Sequence, residues 1–131
     1  MSTNINELIG KVITKIDVSS NKENIKFVCD DGSKYDMYHD QDCCESVYLE
    51  DVVGELDNLI DSPILKASED SNSNEDPSDI PKRDYEPDSF TWTFYNIATI
   101  KGNVTLRWFG SSNGYYGESV ELHKTKPNVQ D

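Results

Sequence analysis

The chain is 131 residues long, carries a formal net charge of −13 at pH 7 and is 35% hydrophobic. That size suits one domain with a modest core, and the charge argues against general binding to DNA or RNA, where phosphate contacts dominate affinity. No apolar run approaches the roughly 18 residues of a membrane-spanning helix, the first residues lack the basic and apolar regions of a signal peptide, and three cysteines, two of them adjacent, form no disulfide framework, which points to a reducing cytoplasm.

Ile5 to Gly10 is expected to form a short helical turn capped by Asn4 or Thr3. Val12 to Val18, rich in β-branched residues, predicts a first strand. Ile25 to Asp30 and Ser33 to His39 flank Asp31-Gly32, the strongest hairpin signal in the chain. Ile25, Phe27 and Cys29 share one face of the second strand, and Tyr35, Met37 and His39 share one face of the third. A polar bend, Asp40 to Ser46, follows. Val52, Val53, Leu56, Leu59 and Ile60 recur at roughly helical spacing, so Asp51 to Ile60 is expected to be a short amphipathic helix stopped by Asp61-Ser62-Pro63. Ile64 to Ala67 predicts a further strand.

Ser68 to Asp88 contains eight acids against Lys82 and Arg83, together with Pro77, Pro81 and Pro87. Such a segment buries too little apolar surface to offset its ordering entropy, so a disordered acidic loop is expected over about residues 68–88. Six units of the chain's negative excess lie there, which favours a solvated acidic surface over mimicry of DNA. From Phe90 to Leu122 the period is two. Phe90, Trp92 and Phe94 point one way and Thr91, Thr93 and Tyr95 the other. After a turn at Lys101-Gly102, Val104, Leu106 and Trp108 share a face opposite Asn103, Thr105 and Arg107. With a third strand near Tyr115 to Leu122, this reads as a three-stranded antiparallel meander. The expected architecture is a single α+β domain: mainly antiparallel sheet, one or two short helices, the acidic insertion, and a tail over 123–131.

Signals for catalysis are weak. No phosphate-binding glycine motif, Gly-x-Ser-x-Gly or His-Glu-x-x-His occurs. His39-Asp-Gln-Asp-Cys-Cys-Glu45 carries residue types that ligate zinc, but without the usual ligand spacing, and adjacent cysteines point apart on an extended chain. A Cys–His nucleophilic pair there lacks an orienting third group. A bend whose acids satisfy backbone amides accounts for the segment more simply.

Binding chemistry is better represented. Arg107 lies mid-strand, beside Trp108 and across a hairpin from the face of Tyr95. Its guanidinium suits either a phosphate or a cross-strand acid such as Glu118 or Glu121. Trp92, Phe94 and Trp108 alternate regularly enough to be core, whereas Tyr95, Tyr115 and Tyr116 combine an apolar body with a polar tip, as binding sites favour.

Tyr38-His-Asp-Gln-Asp-Cys-Cys-Glu-Ser-Val-Tyr-Leu-Glu-Asp51, Ile60-Asp-Ser-Pro-Ile-Leu65, and Thr91-Trp-Thr-Phe-Tyr95 through Ile100-Lys-Gly102 to Leu106-Arg-Trp-Phe-Gly110 and Asn113-Gly-Tyr-Tyr116 resemble the phage-encoded Thoeris anti-defence family, the first described under that name. The likeness spans roughly residues 10–66 and 88–122. It implies a sponge without catalytic residues, metal or cofactor, acting in the host cell cytoplasm. Family members bind the cyclic ADP-ribose isomer (gcADPR) made by a bacterial TIR-domain defence enzyme and hold it unaltered, so that the effector stays inactive. They form dimers or larger assemblies, some hexameric, with ligand recesses near subunit interfaces. Some bind cyclic oligonucleotides at a second site.

Local chemistry then nominates contacts for such a ligand. Phe94, Tyr95, Trp108, Tyr115 and Tyr116 offer stacking surfaces, worth ~1–3 kcal/mol per base. Asn103, Ser111, Ser112 and Asn113 suit ribose or exocyclic groups. Arg107 and Lys101, with backbone amides near Gly110 and Gly114, suit the pyrophosphate. Nanomolar capture requires about 12 kcal/mol, so the ligand should be largely enclosed by a second subunit or by the 40–46 bend. Two alternatives stand beside the sponge: a nucleotide-signal hydrolase using His39 to Cys44, and an acidic inhibitor directed at a host enzyme.

Overall fold

Eight strands, most of them built on short runs of alternating apolar residues, form in the computed structural model, which describes residues 3–78, 80 and 87–125. These are β1 (Ile13–Val18), β2 (Asn24–Cys29), β3 (Lys34–Tyr38), β4 (Ser46–Val53), β5 (Lys66–Ser73), β6 (Ser89–Thr99), β7 (Gly102–Ser112) and β8 (Glu121–Thr125). They form two antiparallel sheets in the orders β1-β2-β3-β8 and β4-β7-β6-β5. Inward-facing residues of both sheets meet in one core: Phe27, Tyr35, Met37 and Leu122 from the first, Leu49, Tyr95, Ile97, Leu106 and Trp108 from the second. Each large side chain so buried contributes ~1.5–3 kcal/mol of transfer free energy.

The α+β expectation is overturned. Among the described residues the only helical segments are 3-10 turns at Ile5–Leu8 and Leu56–Leu59. The first matches the expected turn, with the Asn4 side chain accepting a hydrogen bond from the Asn6 amide at 3.0 Å. The second is all that remains of the expected helix over 51–60. Val52 and Val53 instead pair with Leu106 and Thr105 as the end of β4, where β-branched side chains pack readily. Gly54 then turns the chain at φ +104°, a conformation that costs glycine little, with the Asn103 carbonyl too close to admit a Cβ.

Two further expectations fail. The strand expected at Ile64 to Ala67 is present as the start of β5, but residues 68–73 are not the expected loop: they continue β5 as an edge strand paired along its length with β6. Its solvent-facing row needs no apolar residues, which is why its composition resembles disorder. Asp79 and residues 81–86 of the expected acidic loop, and residues 126–131 of the expected tail, lie outside the described residues. The expected three-stranded meander is only a hairpin. After β7 the chain crosses to the other sheet, and β8 pairs with β3. The Asp31-Gly32 hairpin forms as expected, with Gly32 at φ +89°. Among the described residues no helix is long and apolar enough to cross a membrane.

Candidate ligand-binding face and the crossover bend

The outer face of the β4-β7-β6-β5 sheet is aromatic as well as the inner one. The β6–β7 register pairs Phe90 with Ser111, Trp92 with Phe109 and Phe94 with Arg107, while Tyr95 pairs with Leu106 and Thr93 with Trp108. Alternation therefore sends Trp92, Phe94, Arg107 and Phe109 outward and Tyr95 and Trp108 inward. Outside, Trp92 and Phe109 lie 4.7 Å apart between ring centroids, Phe90 and Phe109 5.8 Å, and Tyr48 and Phe109 6.0 Å. The Arg107 guanidinium sits over Trp92, 5.4 Å from its centroid, a cation–π geometry worth ~0.5–2 kcal/mol.

Arg107 is also engaged from its other side. A β-bulge between Leu49 and Asp51 turns two consecutive acids of β4 towards it. Its Nε donates to Glu50 Oε1 at 2.7 Å, and Nη2 lies 3.7 Å from Asp51 Oδ2. The partners weighed from sequence, Glu118 and Glu121, lie elsewhere: Glu118 accepts from Thr91 Oγ1 and Ser112 Oγ, and Glu121 is on β8. The described part of the acidic segment covers this face. Asn74 exchanges hydrogen bonds with the Phe90 backbone, Asp76 accepts from Trp92 Nε1 at 2.9 Å, and Ile80 packs on the aromatic cluster.

Of the eleven residues nominated for ligand contact, the structure brings Phe94, Arg107 and Ser111 onto this one face, while Ser112 donates to Glu118. Tyr95 and Trp108 are core, 1% and 0% exposed, and Tyr95 donates to the Val120 carbonyl at 3.0 Å. Lys101 and Asn103 lie at the β6–β7 hairpin tip, where Lys101 Nζ donates to the Ile60 carbonyl. Asn113, Tyr115 and Tyr116 occupy the loop past the opposite end of β7, with Tyr115 82% exposed. The eleven-residue strand β7 runs from one group to the other, so that Asn103 and Asn113 lie about 33 Å apart at the usual rise, too far for one nucleotide to bridge. Sequence reasoning missed Glu50 and Asp51 as partners of Arg107, and Tyr48, Asp76 and Phe109 as members of the surrounding aromatic cluster. The hairpin itself carried a usable signal, because any two-residue turn near Lys101 pairs odd-numbered residues of β6 with even-numbered ones of β7.

The 39–45 bend is the second polar constellation, and it joins the sheets. His39 Nδ1 lies 2.6 Å from the Ser119 carbonyl, tying the β3–β4 crossover to the β7–β8 crossover. His39 Nε2 lies 2.6 Å from Glu45 Oε2. Both partners are acceptors, so a ring protonated on both nitrogens satisfies them together. Glu45 also accepts from the amides of Asp42 and Cys43 at 2.7 and 2.9 Å. Burial pushes its pKa up, but these hydrogen bonds outweigh burial and hold it at about 2. Contrary to the expectation of divergent thiols, Cys43 and Cys44 are bonded to each other, and Cys29 is buried in the core. The Cys–His pair weighed from sequence is therefore not assembled.

The chain belongs to the family described as a domain of unknown function (DUF7448), whose model matches residues 6–122. No curated protein and no solved structure matches it.

Proposed function

We propose that this DUF7448 member captures a cyclic ADP-ribose-type nucleotide signal in the host cell cytoplasm and holds it without degrading it, so that the Thoeris effector is never activated. Two things support the reading: the motif likeness described above, and the guanidinium lying face-on to Trp92 on the outer side of a sheet. An aromatic face with one embedded cation offers the two groups a purine nucleotide needs, a stacking surface and a phosphate donor. Phe94, paired with Arg107, and Tyr48, against Phe109, retain solvent access. The ligand's phosphate takes the place of Glu50 on Arg107, and Asn74, Asp76 and Ile80 lift from the aromatic cluster to admit the base. Because one face cannot enclose a ligand tightly, a homodimer or hexamer completes the recess. Cyclic oligonucleotides, where bound, occupy a separate site.

Calorimetric titration with gcADPR tests this. Arg107→Ala should weaken binding by roughly 10- to 100-fold, the range of a charge-assisted hydrogen bond of ~1.5–3 kcal/mol, and Phe94→Ala by a comparable amount through lost stacking. Glu50→Gln should tighten binding, because it removes the competitor for the guanidinium. Equal affinity across all three folded variants would place the ligand elsewhere.

A further inference from the structure

Folding brings together three metal-ligating side chains that lie far apart in sequence. Glu121 and His123 sit two residues apart on β8 and so project from the same side of the strand, opposite the core residue Leu122. Asp40 follows β3, the neighbour of β8, two residues beyond Tyr38, which pairs with Glu121. One ligand atom from each of Asp40, Glu121 and His123 lies within 4.8 Å of the other two.

We propose that Asp40, Glu121 and His123 form a binding site for a divalent cation of the zinc type. Two carboxylates and one imidazole are a mixed oxygen–nitrogen set, which borderline cations favour over magnesium or calcium. Tetrahedral bonds of ~2.0–2.1 Å place ligand atoms about 3.3 Å apart. His123 Nε2 and Glu121 Oε1 are already 3.4 Å apart. Only Asp40 has to close in, by at most ~1.5 Å on the same tetrahedral arithmetic, and it is exposed and free of strand pairing. The Tyr38 ring stacks on the imidazole at 4.8 Å between centroids and 26° between planes, fixing its orientation, as an outer shell does for metal-bound histidines. Asp40 and Glu121 also line a recess of about 400 Å³ shared with Gln41, Asp42 and Ser119. Three protein ligands beside open space leave a coordination position for water or for an oxygen of another molecule. Two carboxylates neutralise a dication, so the site carries no charge penalty once filled.

An ordinary ion pair between Glu121 and His123 would leave Asp40 without a role, and that distinction makes the site testable. Tag-free, metal-stripped full chain with the Cys43–Cys44 bond intact is titrated with zinc alone against a competing chelator. One equivalent should bind per chain. Asp40→Asn and His123→Gln should each weaken binding by roughly tenfold or more, the least expected for a ligand when outer-shell changes already cost that much. Zinc should move the ring nitrogen resonances of His123 in the wild type. The exposed Asp40→Asn keeps the test valid should His123→Gln fail to fold. Absence of saturable binding, or binding unchanged in Asp40→Asn, would overturn the site.

Discussion

Tyr95 lies in the core, whereas Arg107, on the neighbouring strand of the same hairpin, lies on the outer sheet face. A tyrosine with a buried ring and a hydroxyl bonded to Val120 is a structural group, and burial drives its pKa far above the ordinary value, with the nearby Glu69 charge adding to the effect. Tyr95→Phe should therefore cost ~1–2 kcal/mol of stability for the lost buried hydrogen bond, measured by urea unfolding, with gcADPR affinity unchanged. Loss of affinity at full stability would return Tyr95 to the binding site. Glu45 gives a pH-dependent prediction. Its folded pKa of about 2 lies below the ordinary 4.5, so its contribution is complete above pH 4.5 and is lost as pH falls towards 2. The stability difference between wild type and Glu45→Gln should shrink across that window, and a difference constant with pH would mean that the ionised carboxylate does not brace the bend.

At the scale of elements, legibility followed the turns. Asp31-Gly32 and the period-two runs were readable because each strand's apolar face and turn chemistry agreed. Three things were not. Val52, Leu56 and Ile60 satisfy a helical spacing, yet they belong to a strand end, a 3-10 turn and the residue after it, because β7 supplies the pairing that no local pattern reveals. The strand β5 was hidden by its polar composition, since the apolar partner surface belongs to β6. The crossover from β7 to β8 left no local trace, although Gly110 is one sign of it. A Cβ there would lie 2.9 Å from both the Cβ and the carbonyl oxygen of Glu118, in the returning loop. Gly110→Ala should accordingly destabilise the fold by ~1–3 kcal/mol through overpacking, measured by thermal unfolding. An unchanged midpoint would show that the loop can step aside at no cost.

For the whole molecule, one core shared by two sheets leaves both outer faces for other work. One carries the aromatic cluster with Arg107 under part of the acidic segment; the other carries the Asp40–Glu121–His123 cluster. The location of a site was thus only half legible from sequence. Alternation showed that two aromatic faces exist, but not which faces inward, because both are apolar and only the opposing sheet decides. The net charge of −13 repels anions at long range, but screening beyond ~8 Å at physiological salt leaves the proposed contacts at Arg107 to decide affinity for the proposed ligand. The proposed capture without turnover is tested by incubating gcADPR with an equal amount of protein, removing unbound nucleotide, denaturing the complex by heat and identifying what is released. Intact gcADPR in stoichiometric yield is the predicted result; linear ADP-ribose, or no nucleotide at all, would contradict it.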